Sequence, residues 1–436
     1  MRQIRTALIG VIMLLSVCGF AVAGGGGEET STQEGPTRIV IWSPEGTPEE
    51  RVYFSGLVEQ FNAEHPDIVV EEVVIPNAAY TEQLNAGVMT SDVGDILYFD
   101  GPNLYNYAWS GTIVPLDDYV SDEMLADFLP SIIEQGTYNG QLYALGQMDS
   151  AIAIWGNREY LDRAGVRIPE GVSDPWSREE FEDALARLAA LPEVDYPLDM
   201  KFNYGVGEWF TYGLAPILWM FGGDLIDRTD FQTADGVLNG PEAVAAFEWL
   251  RGLVDNGYVN TTPAGDDDFY GKKTAALSYV GMWMWPPHHE GLGDDLVIMP
   301  IPRLGPGNPV TGIGSWCMGI SSYCENPEAA WEFLEFVMSP EAIAQKADLT
   351  GGVPARNSAV PLSESYGPGG PLGILVQELQ AGWGVARPQT PAYPVITNAF
   401  AEAVNNILVA GADIQSELDH AVERIDEDIA DNNGYR

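Results

Sequence analysis

Residues 37–75 read TRIVIWSPEGTPEERVYFSGLVEQFNAEHPDIVVEEVVI, and this stretch decides the fold. The run 37–42 is apolar and β-branched, which predicts a strand. Pro48 begins a predicted helix, and Pro66 follows its end because the residue before a proline avoids helical backbone. Four apolar residues recur on one face of that helix: Phe54, Leu57, Val58 and Phe61. The Val/Ile-rich run 68–75 predicts a second strand.

The same alternation continues beyond this stretch. Residues 80–89 predict a helix, and 95–99 (DILYF) predict a buried strand. Strand–helix–strand–helix–strand is typical of a parallel sheet with helices on its faces, so the sequence predicts an α/β fold. Further extended segments are predicted at 142–145 and 151–155, and further helices at about 177–191, 241–256, 327–347 (with Asn326 as its N-cap) and 413–431.

The first 23 residues have the features of a secretory signal peptide. Arg2 and Arg5 precede an apolar run that ends in the small-x-small cleavage site 21–23 (AVA), and the run is too short to span a bilayer. Cleavage after Ala23 and lipidation at Cys18 remain alternatives, and either predicts an exported, periplasmic protein. Residues 24–36 are expected to form a flexible leader.

The chain is strongly acidic. It holds 64 Asp and Glu against 20 Lys and Arg, for a formal net charge of −44. Nucleic acid and anionic membranes are poor partners for such a surface, and we expect no nucleic-acid binding. The acidic residues are dispersed rather than collected in a tail, which leads to the hypothesis of a halophilic protein whose self-repulsion is screened by salt.

Cysteine and histidine indicate neither a disulfide nor a metal site. Cys317 and Cys324 are separated by six residues in a predicted strand and loop. A disulfide needs their Cα atoms within about 7 Å, so two free, mostly buried thiols are expected. The adjacent His288 and His289 are a loop feature, and no Cys/His cluster has metal spacing. We therefore expect no metal and no cofactor.

Residues 269–285, FYGKKTAALSYVGMWMW, combine adjacent lysines, a short apolar run and a Gly-x-Trp-x-Trp end. Trp283 and Trp285 lie two residues apart at the end of a predicted strand, so they are expected to point the same way. Two indole planes aimed at one place suit a ligand with a flat apolar side, and sugar rings have such C–H faces. The alternative is that both indoles pack in a core.

Six blocks of sequence follow one another in a defined order: 57–73 (LVEQFNAEHPDIVVEEV), 91–120 (beginning SDVGDILYFDGPN), 138–166 (beginning YNGQLYALGQMDS), 269–285, 311–345 (beginning TGIGSWCMGISSY) and 387–408 (beginning RPQTPAYPV). In this order they resemble extracellular solute-binding protein family 1, the sugar-binding components of ABC importers of the maltose-binding-protein kind. The resemblance covers nearly the whole mature chain.

The resemblance implies a type II periplasmic-binding-protein fold. Each of its two lobes would be a mixed sheet flanked by helices, with a ligand cleft between the lobes that closes about a hinge. The expected crossings lie near 146–150, 311–314 and 352–356. The first lobe would then be 37–147 plus 313–352, and the second 148–312 plus 353–436. The implied function is capture of a neutral mono-, di- or oligosaccharide for a membrane permease driven by a separate ATPase, as a monomer and without catalysis.

Candidate ligand contacts are aromatic planes, hydrogen-bonding side chains and close-approach glycines at strand ends and crossings. They are Trp42, Glu45, Asp100, Asp149, Glu208, Trp209, Phe210, Trp219, Trp283, Trp285, Gly314, Trp316, Gly352, Arg356 and Trp383. Core packing is the alternative for Trp42 and Trp219, a turn cap for Asp100, and a salt bridge for Arg356. Trp383 is expected to be exposed, because glycines flank it.

Two other functions remain open at this point. An exported glycosidase would use two carboxylates across the cleft, and 64 acidic residues make such a pair impossible to exclude by counting. The same fold could instead hold a glycerol phosphate or an amine. A phosphate would require a basic pocket or free helix N-termini, which this cation-poor chain disfavours, whereas an amine would suit its acidity.

Overall fold

A computed structural model of the chain describes residues 35–76 and 79–436. The predicted signal peptide, Cys18 and residues 24–34 of the leader lie outside this description. Across the part of the chain that is described, every helix is too short or too polar to cross a bilayer.

The strands are short and are distributed along the whole described chain. They are β1 Thr37–Pro44, β2 Ile68–Ile75, β3 Ile96–Asp100, β4 Thr137–Tyr138, β5 Gln141–Leu142, β6 Leu145–Gly146, β7 Met148–Asp149, β8 Ile152–Asn157, β9 Leu198–Asp199, β10 Leu277–Gly281, β11 Leu296–Met299, β12 Thr311–Ile313, β13 Trp316–Ile320, β14 Val353–Pro354 and β15 Gly384–Ala386.

The helices alternate with these strands. They are α1 Pro48–Glu64, α2 Tyr80–Thr90, α3 Leu104–Trp109, α4 Asp122–Asp127, α5 Pro130–Gln135, α6 Arg158–Ala164, α7 Arg178–Leu188, α8 Glu208–Phe221, α9 Pro241–Asp255, α10 Trp285–Leu292, α11 Pro327–Val337, α12 Pro340–Thr350, α13 Gly373–Gln380, α14 Tyr393–Val404 and α15 Ile414–Asp431.

Two mixed sheets organise the protein into two lobes. The first sheet has the order β2-β1-β3-β13-β6, with β1, β2 and β3 parallel and β13 antiparallel to both of its neighbours. The second sheet has the order β11-β8-β10-β9, in which β8 pairs antiparallel with β10 and β11. This is the predicted α/β class with a mixed sheet in each lobe.

Helices cover both faces of the first sheet. Along β3 the side chains alternate: Ile96 and Tyr98 join the apolar core that holds α1 and α11, while Leu97 and Phe99 join the core that holds α2 and α3. Burial on both faces explains why this strand is continuously apolar in sequence. The second sheet lies in a larger separate core with α8, α9, α14 and α15.

Short strand pairs form where the chain passes between the two large sheets. β7 pairs antiparallel with β14, aligning Asp149 with Val353. β12 pairs in parallel with β15, aligning Ile313 with Ala386. The chain segments that connect the sheets are therefore joined to one another by backbone hydrogen bonds.

Most predicted elements are confirmed. The helix from Pro48 buries all four predicted apolar residues, and the strand 68–75 has the predicted bounds. The single helix predicted at 327–347 is wrong: α11 ends at Val337 and α12 begins at Pro340. Proline lacks the amide hydrogen that would continue the helix, so the chain turns before it.

Three local expectations have different outcomes. His288 and His289 lie in helix α10, so the expectation of a loop there is wrong. Asn326 makes no side-chain hydrogen bond as an N-cap of α11, so that capping prediction is wrong. Cys317 and Cys324 are both free, as predicted. Cys317 is buried in β13, and burial raises the pKa of its thiol well above the ordinary value.

Candidate functional site

A cavity of about 380 Å³ is lined by residues from both lobes. The first lobe contributes the loop after β1, the start of α1, residues near the end of β3 and the start of β13, and Lys346 from the middle of α12. The second lobe contributes the start of α8 and the turn after β10. The lining includes Glu45, Arg51, Tyr53, Tyr98, Asp100, Ser150, Tyr204, Glu208, Trp209, Tyr212, Trp283, Gly314, Trp316, Lys346 and Arg387.

The cavity brings together seven of the fifteen candidate residues. Those seven are Glu45, Asp100, Glu208, Trp209, Trp283, Gly314 and Trp316. The other eight lie outside its lining: Trp42, Asp149, Phe210, Trp219, Trp285, Gly352, Arg356 and Trp383.

One arginine joins two of the predicted carboxylates across the cavity. Arg387 donates to both oxygens of Asp100, at 2.7 and 2.8 Å, and to Glu208 Oε1 at 2.5 Å. Tyr393 also donates to Glu208 Oε1, and Thr397 donates to Oε2 at 2.8 Å. Asp100 belongs to the first lobe and Glu208 to the second, so this cluster spans the cleft.

Burial affects the two charge types in this cluster differently. Burial raises the pKa of Glu208, and the attraction of Arg387 opposes that rise without cancelling it. Burial alone would lower the pKa of Arg387, but Asp100 and Glu208 raise it well above its ordinary value. Arg387 therefore stays positively charged, and its charge offsets much of the negative charge in this part of the cleft.

The second lobe presents an aromatic wall. Trp209 and Trp283 are perpendicular, with ring centroids 5.8 Å apart, and Tyr212 lies 5.7 Å from Trp283. Trp209 donates its indole N–H to Met200 O at 3.0 Å, and Trp283 donates to the Tyr204 hydroxyl at 3.2 Å. These bonds fix both indoles, so the wall is formed before any ligand enters.

Trp316 supplies an aromatic plane from the first lobe. Its ring meets those of Tyr80 and Tyr98 edge-on, at centroid distances of 5.5 and 5.9 Å. The cavity is thus lined by indoles from both lobes, together with the carboxylates of Asp100 and Glu208.

The expectation that Trp283 and Trp285 point the same way is wrong. β10 ends at Gly281, residues 282–284 form a 3₁₀ turn, and Trp285 begins α10. Period-two alternation ends with the strand. Trp285 consequently stacks on His289, at 4.5 Å and 17°, away from the cavity that Trp283 lines.

Three other candidate aromatics pack within their lobes. Trp42 projects from β1 against α2 and the segment after it, where a Cβ added to Gly87 or Gly94 would lie 3.0 or 2.8 Å from its ring. Phe210 is buried against Phe202. Trp219 donates to Asp224 at 2.7 Å; it lies near the C-terminal end of α8, beyond the residues of this helix that line the cavity.

The remaining candidates are also held by structural contacts. Gly352 is packed against Met148, whose sulfur would lie 2.2 Å from an added Cβ. Arg356 makes a salt bridge to Asp127 at 2.7 Å, which was its alternative interpretation. Trp383 is only 6% exposed, so the expectation of an exposed indole is wrong. The flanking glycines give information about the local chain only. They do not show that residues distant in sequence bury the Trp383 side chain.

Asp149 connects the segments between the lobes. It is fully buried, and its carboxylate accepts hydrogen bonds from Gly314 N at 2.9 Å, Ser150 N at 2.8 Å and Ser131 Oγ at 2.6 Å. The Tyr212 hydroxyl, from the cavity wall, contacts Ser150 Oγ at 2.8 Å and Gly312 O at 3.0 Å. The cavity wall therefore contacts two of the connecting segments directly.

Sequence reasoning missed Arg387, Tyr212, Tyr204 and Lys346 as lining residues. Arg387 is the first residue of one of the six sequence blocks that resemble the family. That position was its only signal in the sequence. Tyr212 lies four residues after Glu208, hence on the same helix face, which was a usable signal. Lys346 gave no signal, because it follows an ordinary amphipathic pattern.

The cavity chemistry suits recognition of an uncharged polar ligand. Among the described residues, no group of three His, Cys, Asp or Glu side chains is placed to hold a metal ion. Aromatic planes can stack on apolar ring faces, and the carboxylates can accept from hydroxyl groups.

Comparison with known proteins identifies the family. Residues 56–367 match the family of bacterial extracellular solute-binding proteins. The chain belongs to this family. The match includes the strand, helix and turn segments that supply Asp100, Glu208 and Trp283.

Relatives within the family are distant in sequence. A binding protein of Brucella abortus is 23% identical over 256 residues, which is 58% of this chain and 56% of that one. The chain thus spans little more than half the length of this relative. The maltotriose-binding protein of Pyrococcus abyssi is 23% identical, over 76% of this chain and 69% of that one.

Solved structures confirm the two-lobe fold. An ABC substrate-binding protein of Listeria monocytogenes, in complex with cycloalternan, has a TM-score of 0.76 at 18% identity, covering 91% of this chain and 99% of that one. The cyclic α-maltosyl-1,6-maltose binding protein of Arthrobacter globiformis has a TM-score of 0.71 at 22% identity, covering 90% and 99%.

Proposed function

We propose that this solute-binding protein is the exported substrate-binding component of an ABC importer and captures a neutral mono-, di- or oligosaccharide. One observation carries the proposal: a single cavity is lined by indoles and carboxylates from both lobes. The maltotriose-binding relative and the two sugar-binding structural neighbours support it. The protein would bind and release its ligand without chemical change.

Each part of the cavity would recognise a different feature of the sugar. Trp209 and Trp283 would stack on the ring faces from the second lobe, and Trp316 would contact them from the first. Asp100 and Glu208 would accept hydrogen bonds from hydroxyl groups while Arg387 fixes both carboxylates. Glu45 would contact the ligand at the exposed rim, and Gly314 would let the backbone approach it.

Closure of the lobes would complete the site. The proposed lobes are 37–147 plus 313–352 and 148–312 plus 353–436, with crossings near 146–150, 311–314 and 352–356. The β7–β14 and β12–β15 pairs support these crossings, as does the Asp149 network. Short paired segments of this kind can rotate as a hinge while each lobe keeps its own core.

Export and delivery follow from the same proposal. The protein would be periplasmic, either free after cleavage at Ala23 or lipid-anchored at Cys18, and a distant relative in Streptomyces antibioticus is an uncharacterised lipoprotein. It would act as a monomer that docks on membrane permease subunits served by a separate ATPase.

The acidic surface supports a halophilic origin. A net charge of −44 favours stability at high ionic strength, because salt screens repulsion between exposed carboxylates. We expect the thermal midpoint to rise between low and molar NaCl. Equal midpoints in both conditions would remove this part of the proposal.

A phosphorylated polyol is the second candidate ligand. The sn-glycerol-3-phosphate-binding periplasmic protein of Salmonella paratyphi A is 24% identical over 84% of this chain and 82% of that one. Two of the cations that line the cavity already have carboxylate partners: Arg51 contacts Glu72, and Arg387 contacts Asp100 and Glu208. The third cation, Lys346, has no carboxylate partner among the described side chains. The cavity lining nevertheless holds four carboxylates against three cations, so a phosphate is disfavoured and the neutral sugar is favoured.

A thermal-shift panel followed by isothermal titration tests the proposal. Maltose, maltotriose, mannobiose, an amine and sn-glycerol 3-phosphate are added to the purified protein, and a ligand that binds only the folded state raises the midpoint. We expect a sugar to give the largest rise and to be recovered intact. Binding of glycerol phosphate or the amine alone, or hydrolysis of a disaccharide, would overturn the proposal.

A further inference from the structure

Lys346 is a buried cation in the wall of the cavity. It lies on α12 in the first lobe, its side chain is 3% exposed, and it lines the cavity beside Tyr53 and Tyr98. Its ammonium donates to the Tyr98 hydroxyl and, at 3.4 Å, to Gln147 Oε1. The long side chain is therefore held in one place, although it comes from a helix at the back of the cleft.

The surroundings of Lys346 differ from those of the other buried lysine. Lys201 lies between Asp199 at 2.9 Å and Asp266 at 3.1 Å. Among the side chains that the structure describes, no carboxylate oxygen lies within 4.0 Å of Lys346 Nζ. Burial of a lysine without an anionic partner is unfavourable, and acidic residues outnumber basic residues threefold in this chain. The ammonium also lies 5.1 Å from the centroid of the Tyr98 ring, but neither this contact nor its two hydrogen bonds supplies a negative charge.

Two hydrogen-bond donors at this place have no acceptor among the described residues. An ammonium group has three N–H donors, and Tyr98 and Gln147 occupy two of them. The Tyr98 hydroxyl accepts from Lys346, and no described residue accepts its own O–H. Lys346 and Tyr98 both line the cavity, so an acceptor atom of a bound ligand could satisfy the third N–H or this O–H.

We propose that Lys346 and Tyr98 form a subsite for one oxygen of the bound sugar that acts as a hydrogen-bond acceptor. The inference rests on the proposed function and names residues that determine specificity within it. Carboxylates elsewhere in the cavity select hydroxyl groups as donors, whereas this pair selects an acceptor. It would discriminate between sugars that differ at one ring position, since buried donors without a partner penalise the wrong ligand.

Lys346→Met tests the subsite. Methionine keeps the apolar stem and removes the charge and its donors. Lys273→Met is the matched control, because Lys273 is exposed and outside the cavity lining. Titration with maltose, maltotriose and mannobiose gives the dissociation constants. For the sugar that binds the wild type, we expect Lys346→Met to bind about 10- to 100-fold more weakly, and Lys273→Met to stay within about twofold.

Monodeoxy derivatives of the bound sugar locate the oxygen. Loss of the contacted oxygen should weaken binding to the wild type but cause no further loss in Lys346→Met. Tyr98→Phe should reproduce part of the effect, which keeps the test decisive if Lys346→Met does not fold. Unchanged affinity in both variants would overturn the subsite and leave the proposed function intact. Failure of all three sugars to bind the wild type would overturn both.

Discussion

The buried carboxyl group of Glu378 is expected to make the free energy of unfolding depend on pH. It lies on α13, has no solvent exposure, and accepts one hydrogen bond, from Ile301 N at 2.9 Å. Its second oxygen has no partner among the described residues. Burial disfavours the carboxylate form, and it raises the pKa of Glu378 from 4.5 to about 8. Glu378 is therefore protonated at neutral pH.

The sign of the pH dependence follows from this shift. The folded state keeps its proton up to about pH 8, whereas the unfolded state releases it near pH 4.5. The contribution of Glu378 to stability is complete below pH 4.5 and is lost as the pH rises through 8. The difference between 8 and 4.5 is 3.5 units. At about 1.4 kcal/mol per unit, the total loss is about 5 kcal/mol.

Glu378→Gln isolates this contribution. Glutamine has nearly the same shape, can still accept from the Ile301 N–H, and does not ionise. Urea unfolding of both proteins from pH 4.5 to 8.5, at constant ionic strength, gives two free energies of unfolding at each pH. We expect the free energy of unfolding of the variant to increase relative to that of the wild type as pH rises. The difference between the two should grow by about 5 kcal/mol over the range.

The paired measurement cancels the other titrating groups, because they are common to both proteins. Glu335→Gln, at an exposed position, controls for the loss of one carboxylate from an acidic surface. A difference between wild type and Glu378→Gln that stays constant from pH 5 to 8 would refute the reasoning. It would mean that Glu378 ionises in the folded protein much as it does in the unfolded chain.

Three further predictions concern the cleft and the second lobe. Trp283→Ala should weaken sugar binding about 10- to 100-fold by titration, whereas Trp285→Phe, outside the cavity, should leave it unchanged; equal losses would contradict the assignment. Arg387→Met should lower the free energy of unfolding by about 3–5 kcal/mol, because two carboxylates lose their shared partner; a urea-unfolding loss below about 1 kcal/mol would show that the cluster is effectively solvated. His288 is buried without a hydrogen-bond partner among the described residues, and burial holds its pKa well below 6.5. Stability should therefore fall as pH drops below 6.5, where the unfolded state binds the proton first, and His288→Phe should show a shallower acid-side decline in thermal midpoint.

Local sequence patterns predicted most of the secondary structure. The stripe in α1 repeats at the period of a helix, the run of β2 is rich in β-branched residues, and both elements form with nearly the predicted bounds. The prediction was wrong at 327–347, where the apolar pattern continues across Pro340 but the backbone does not. The spacing of apolar residues predicts which face of a helix is buried. It does not predict where the helix is interrupted.

The site was only partly predictable, because a side chain at a strand end is directed by the turn that follows. Trp283 and Trp285 were predicted to point the same way because side chains two residues apart in a strand do so. The strand ends at Gly281, before either residue. Asp100 and Arg387 are 287 residues apart, so no local pattern could join them. Trp383 has glycine neighbours in sequence but is buried in the folded chain.

The sequence by itself determined the α/β class, the family and the acidic character, because these depend on periodicity, on ordered blocks and on composition. The tertiary structure alone decided which indoles and carboxylates share one cavity. Packing between distant segments orients those side chains, and chain topology brings the segments together. Both are set by the whole fold rather than by neighbours in sequence.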